Sequence, residues 1–146
     1  MKKSKKNNKG FSLVELIVVV LILGILAVAV TPQIMNWINK SKIAKDESYA
    51  GSVATAIESV TLEYLGKNKT ADIVGSMVIS GSPTATLAAG AGVTPTAGQL
   101  QYIADVTAMI GSDKLQIPEQ SGKSTFVITV TPNATTSTVN VTVTAN

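Results

Sequence analysis

Apolar positions set three regimes along the chain. After a basic start, residues 11–30 are apolar except Ser12, Glu15 and Gly24. About 20 apolar residues span a bilayer core. From residue 33 polar positions become frequent and a helical spacing takes over. Ile34 and Ile38, then Ala50, Val53, Ile57, Val60 and Tyr64 recur at intervals of three and four, the mark of one apolar stripe on a helix. Lys42, Lys45, Asp46, Glu58 and Glu63 are read as polar positions off that stripe. Pro32 removes one backbone bond and is accommodated as a kink. No strong stop precedes Gly66, which is read as the C-cap. The pattern predicts one helix over about 11–65, roughly 80 Å long at 1.5 Å per residue. No single small domain can bury such a helix, so its first half belongs in lipid or among other copies.

The pattern then changes period. Residues 66–98 are rich in Gly, Ser, Thr and Ala and are read as a long surface loop, with one short strand at Met77–Ile79. "QLQYIADVTAMI" predicts a short helix over 99–110, with Leu100, Ile103, Val106 or Thr107, and Ile110 on one face and Gly111 as its stop. "KLQIP" is read as a strand. "TFVITV" and "TVNVTV" are stronger strands, being β-branched and alternating, and "TPNATTS" joins them as a hairpin. Phe126, Ile128 and Val130, with Val139, Val141 and Val143, form the inward set. A small sheet needs a partner surface, and the stripe on residues 50–64 supplies it. The fold class expected is α+β: a long N-terminal helix packed at its C-terminal half against a small antiparallel sheet.

Charge sharpens the reading of the N-terminus. The 146 residues carry a formal +3, but five of the 12 basic residues precede Gly10. The remaining seven face nine acids, so a chain starting at Phe11 carries −2 on its side chains. No basic patch remains for nucleic acid. The lysines sit where a targeting signal places them. There is no cysteine and no histidine. That excludes disulfides, thiolate chemistry, the usual general base and the commonest metal ligand. Only Ser/Lys or carboxylate chemistry is left for an enzyme, and Asp105, Asp113 and Glu119 read as scattered surface residues. Residues 112–120, "SDKLQIPEQ", offer two acids without calcium-loop spacing. No cofactor or metal is expected. Sequons at Asn68, Asn133 and Asn140 are common by chance in a Thr-rich chain. Trp37, and less so Tyr49, are candidate membrane-interface anchors.

Glu15 is the anomaly. A charge at the centre of a membrane helix costs about 2.5–3.5 kcal/mol on insertion scales. At "KGFSLVEL" the sequence resembles the N-terminus of type IV prepilins and the related pseudopilins. The match covers about residues 9 to 40: a basic leader ending in Gly10, then Phe11, an apolar run, Glu15 five places after the cut, and Gly24 and Pro32 where the family often has them. Beyond that only the order of elements agrees. The resemblance implies a leader, residues 1–10, cut after Gly10 by a prepilin peptidase on the cytoplasmic face. It implies N-methylation of Phe11 and pairing of Glu15 with the Phe11 amine of a neighbouring subunit. It implies residues 11–32 as the membrane and later filament-core segment, and residues 33–146 as the head. It also implies unwinding between Gly24 and Pro32 inside the filament, which Gly24, Pro32 and the β-branched Val28 and Val30 favour locally. A simple bend in an intact helix is the alternative. The partners implied are other copies in a helical filament, the membrane before assembly, and the pilus assembly machinery. The precursor would sit in the cytoplasmic membrane and the product in an extracellular pilus serving adhesion, motility or DNA uptake. The family's paired C-terminal cysteines are missing, so the hairpin itself must hold that end.

Four readings stay open on sequence. A pseudopilin of a secretion or competence system shares every residue of the motif. An ordinary secreted protein could be cut after Ala29, but leaves Glu15 unexplained. A single-pass anchor without assembly fits the helix alone. Glu15 could also be a carboxylate near the membrane surface that reaches water or is protonated.

Overall fold

The computed structural model describes residues 12–81, 85–133, 135–136 and 138–146. The cleavage and methylation positions expected at Gly10 and Phe11 lie outside the described residues. Helix α1, Leu13–Gly66, runs through two compact units, one ending at Ile38 and one beginning at Asn39.

In the first unit every large apolar side chain from Leu13 to Ile38 is between 44% and 75% exposed. An 18-residue window there has a mean hydropathy of 3.2 and buries nothing, so this stretch is long and apolar enough to cross a membrane. The helix starts where Leu16 N donates to Ser12 O at 3.2 Å, which puts Glu15 in the first turn.

The second unit is the α+β head. Strands β1 (Ser76–Ser80), β2 (Thr86–Ala89), β3 (Phe126–Asn133) and β4 (Thr138–Ala145) form one antiparallel sheet in the order β2-β1-β3-β4. Helix α2, Ala97–Ile110, lies between β2 and β3 in sequence. One sheet face meets the α1 stripe. Met77, Ile79, Phe126, Ile128 and Val130 are buried against Val53, Ile57, Val60 and Tyr64. The β3–β4 register sets Ile128 opposite Val143 and Val130 opposite Val141. That is the alternation expected of a sheet with one covered face. Val139, Val141 and Val143 are half-buried at the margin of this core.

Local chemistry fixes the ends of the elements. The chain leaves α1 through Asn68, not through Gly66 as expected. Asn68 takes a left-handed φ of 55°, while Lys69 N donates to Tyr64 O at 2.9 Å. Asparagine tolerates that region better than most residues. α2 begins two residues before the predicted start because Thr96 and Gln99 close a capping box. It stops at Gly111, whose φ of 91° suits glycine, with its N–H bonded to Thr107 O. In the β3–β4 hairpin Asn133 Oδ1 accepts from Thr135 N at 3.1 Å and Thr136 N at 3.2 Å.

Three further expectations change. The loop read over 66–98 contains β2, whose Thr-Leu-Ala-Ala sequence has weak strand preference and pairs only because β1 offers an edge. "KLQIP" forms no strand; its start belongs to a short turn of 3₁₀ helix at Ser112–Lys114, and the rest runs as an irregular strap against α1. On α2 the buried face is Tyr102, Ile103 and Val106, whereas Leu100 is 55% exposed. Tyr102 displaces Leu100 because its hydroxyl finds Thr61 Oγ1 at 2.7 Å inside the core.

Candidate functional site

Two features of the chain exceed what folding a single copy requires. The first is the exposed N-terminal half of α1. The second is a buried carboxylate, Asp46, that fastens the strap to α1.

Along the first feature the helix is unbroken through Gly24 and Pro32. It is weakened there all the same. Pro32 has no N–H, so the carbonyl of Val28 loses its usual ladder donor. One residue earlier, Thr31 Oγ1 donates to Ala27 O at 2.8 Å, a back-bond that often bends helices. Gly24 has no role in the packing of its own chain, since a Cβ built on it meets nothing within 4 Å. A glycine in a helix interior costs about 1 kcal/mol relative to alanine. Glu15 is exposed at the positive end of the helix, and among the described residues no cation pairs with it. Trp37, 68% exposed, is free to meet a membrane interface. Tyr49 is not. Its ring packs on Phe126 at a centroid distance of 5.2 Å and its hydroxyl accepts from Gln116 N at 3.1 Å.

The second feature escaped the sequence pattern. Asp46 is only 4% exposed. Its two carboxylate oxygens accept from Glu119 N at 2.9 and 3.1 Å and from Gln120 N at 3.1 Å. Lys45 forms an ion pair with Glu119 beside it. Asp46 lies four residues before Ala50 and so on the stripe itself, not off it. The spacing carried the signal; the charge concealed it. Asp105, read as a surface residue, also has a structural partner. Tyr64 Oη donates to its Oδ2 at 2.6 Å and the Gln101 amide to its Oδ1 at 2.8 Å. Those bonds hold the Asp105 carboxyl below its ordinary range, while burial and then Asp105 itself push Tyr64 up to about 12. Among the described residues no three His, Cys, Asp or Glu side chains come together as a metal site.

The family described as the prokaryotic N-terminal methylation motif matches residues 5–31, the stretch that holds Gly10, Phe11 and Glu15. The type IV major fimbrial protein FimA of Dichelobacter nodosus is 38% identical over 97 residues, 64% of this chain and 61% of its own length.

Over these stretches the chain is similar to type IV pilins.

Two further relatives match over shorter stretches. A fimbrial protein of Pseudomonas aeruginosa is 40% identical over 58 residues, 40% of this chain and 38% of its own. The type II secretion system core protein G of Pseudomonas aeruginosa is 36% identical over 59 residues, 40% of this chain and 42% of its own. The chain thus spans about 61% of the length of the D. nodosus relative. No solved structure matches it. It has the long N-terminal helix and the small antiparallel sheet that its sequence implied.

Proposed function

We propose that this chain is a structural subunit of a type IV pilus, working by polymerisation and not by catalysis. The observation that carries this reading is the N-terminal half of α1, which is apolar on all sides, exposed throughout, and charged only at Glu15. Such a surface is at rest in lipid or among its own copies, and moving it from one to the other needs no change in the head. The precursor sits in the cytoplasmic membrane through this segment. A prepilin peptidase removes residues 1–10 after Gly10, and Phe11 becomes the N-methylated terminus. Assembly machinery then draws the subunit into an extracellular helical filament.

Glu15 has its role at that step. In the filament core it pairs with the Phe11 amine of a neighbour, since a buried carboxylate is tolerated when an opposite charge compensates it. The weakened turns between Gly24 and Pro32 unwind as the helices pack. The intact helix of the single chain is the starting state for that change. The likeness to a type II secretion core protein supports a second reading, a pseudopilin in a short secretion filament.

N-terminal sequencing and intact mass of material sheared from cells test the proposal. The expected result is N-methyl-Phe11 in abundant surface fibres. A start at Val30 overturns it in favour of a secreted protein, and an intact Met1 in favour of a plain anchor. A Phe11 start found only in membranes, with no fibres to shear, favours the pseudopilin.

A further inference from the structure

Among the described residues no strand pairs with the outer side of β2 or of β4, and the pairing pattern identifies the backbone groups that face outward there. Thr125 and Asn146 exchange both backbone bonds, at 3.0 and 2.8 Å, so they are a hydrogen-bonded pair. In an antiparallel ladder such pairs alternate with non-bonded ones. Following the register back, Thr144, Thr142, Asn140 and Thr138 bond to β3. Ala145, Val143, Val141 and Val139 therefore turn their N–H and C=O groups to the free edge. Pro132, which has no N–H to give, stands opposite Val139 in a non-bonded pair, as this phase requires. On the far edge Gly90 N donates to Ser76 O at 2.9 Å. The same alternation leaves the backbone groups of Leu87 and Ala89 facing outward from β2.

Sheet edges are ordinarily guarded by charge, proline, a bulge or a covering segment. Neither edge strand has a charged residue or a proline: β4 reads TVNVTVTA and β2 reads TLAA. Beside the C-terminal end of β4 lies an open groove of about 400 Å³, lined by Ile43, Glu47 and Ala50 of α1 and by Val143 and Ala145. An edge with free backbone groups and a groove beside it is the arrangement used to accept an added strand.

We propose that β4 of one copy takes β2 of a second copy as its next strand, so that neighbouring heads share a continuous sheet. The proposal rests on the filament reading above. The direction of the strands selects this occupant. The four strands alternate, so β2 and β4 run in opposite senses. A second copy in the same orientation therefore brings β2 antiparallel to β4 with no inversion. That contact is head-to-tail and propagates, as a polar filament needs. Pairing β4 with β4 would require a two-fold axis and would end at a dimer. The short β2 limits the join to about four backbone hydrogen bonds, from Leu87 and Ala89. It is a contact between heads that supplements the packing of helices.

The chain has no cysteine, so introduced thiols report unambiguously. In the joined sheet Ala88 of one copy lies near Thr142 or Thr144 of the next, in non-bonded pairs on the exposed face. Filaments carrying Ala88→Cys with Thr142→Cys, or with Thr144→Cys, are sheared, mildly oxidised and run without reductant. One of the two double variants is expected to give a ladder reaching beyond dimer, at least tenfold above each single variant. Normal filaments with no ladder in either double variant overturn the contact and leave the filament reading standing. Dimers from Thr142→Cys alone overturn it in favour of two-fold pairing. An unmodified chain that yields no filaments overturns the filament reading, and this contact with it. Val143→Pro gives an independent measure, since Val143 faces β2 of the next copy in either register, and the change removes an N–H facing outward while keeping every β3–β4 bond. Filament yield is expected to fall at least threefold while the melting curve of the head holds. An unchanged yield overturns the proposal.

Discussion

Asp46 illustrates how one side chain joins two distant segments of the head. It sits on the buried stripe of α1 and satisfies two backbone N–H groups of the strap more than 70 residues away. Removing the acceptor strands both donors, and an unsatisfied buried donor costs about 1–3 kcal/mol. Asp46→Ala is therefore expected to speed native-state amide exchange at Glu119 and Gln120 by tenfold or more, with little change at β3. Unchanged exchange at those two amides would refute the fastening role. The Tyr64–Asp105 pair makes a prediction in pH. Asp105 has a lowered folded value, so its stabilisation is complete above the ordinary carboxylate range and fades as pH falls through the lowered value. Tyr64 has a raised one, so its stabilisation is complete below pH 10 and fades as pH rises through about 12. Melting curves against pH check this. Asp105→Asn should flatten the acid limb, and Tyr64→Phe the alkaline limb.

At the scale of elements, α2 owes its start to side chains and its position to the core. Thr96 Oγ1 accepts from Gln99 N at 3.3 Å and Gln99 Oε1 from Thr96 N at 3.0 Å. Thr96→Ala is expected to cost about 1 kcal/mol, read as a lower melting temperature of the head with the sheet unchanged by circular dichroism. A neutral result would mean that packing of Tyr102 and Val106 alone sets the start of the helix. α1 is governed by different terms in its two halves. Beyond Asn39 its stripe is held by the sheet and α2. Before Ile38 it has only its own hydrogen bonds, and these are weakest around Thr31 and Pro32. That contrast is the physical reason to expect rearrangement in the first half and rigidity in the second.

For the whole molecule, the exposed apolar half of α1 makes the folded chain incomplete by itself. On the proposed reading, burial of that surface among other copies is the driving term, at roughly 25 cal/mol per Å² of apolar area, and Glu15 is proposed to supply specificity. Glu15→Ala removes the lone charge from the span, so membrane insertion is expected to stay intact or improve. Assembly is expected to fall at least tenfold. Comparing the chain in membranes with that in sheared filaments measures both, and a normal filament yield from this variant would sink the pairing with Phe11.

The long helix, the paired strands around "TFVITV" and "TVNVTV" and the N-terminal motif were legible because each depends on local order. A run of apolar residues, a period of two and a glycine–phenylalanine junction carry their meaning in sequence. Gly111 as a stop was readable for the same reason. Tertiary structure alone decided the rest. β2 became a strand because β1 had an open edge, not because Thr-Leu-Ala-Ala prefers one. Asp46 went inside because strap amides more than 70 residues away offered it partners, and a charge is buried only where partners exist. Tyr102 took the place expected of Leu100 because Thr61 stood within reach of its hydroxyl. In each case the deciding group comes from a distant part of the chain, which periodicity along a single segment does not encode.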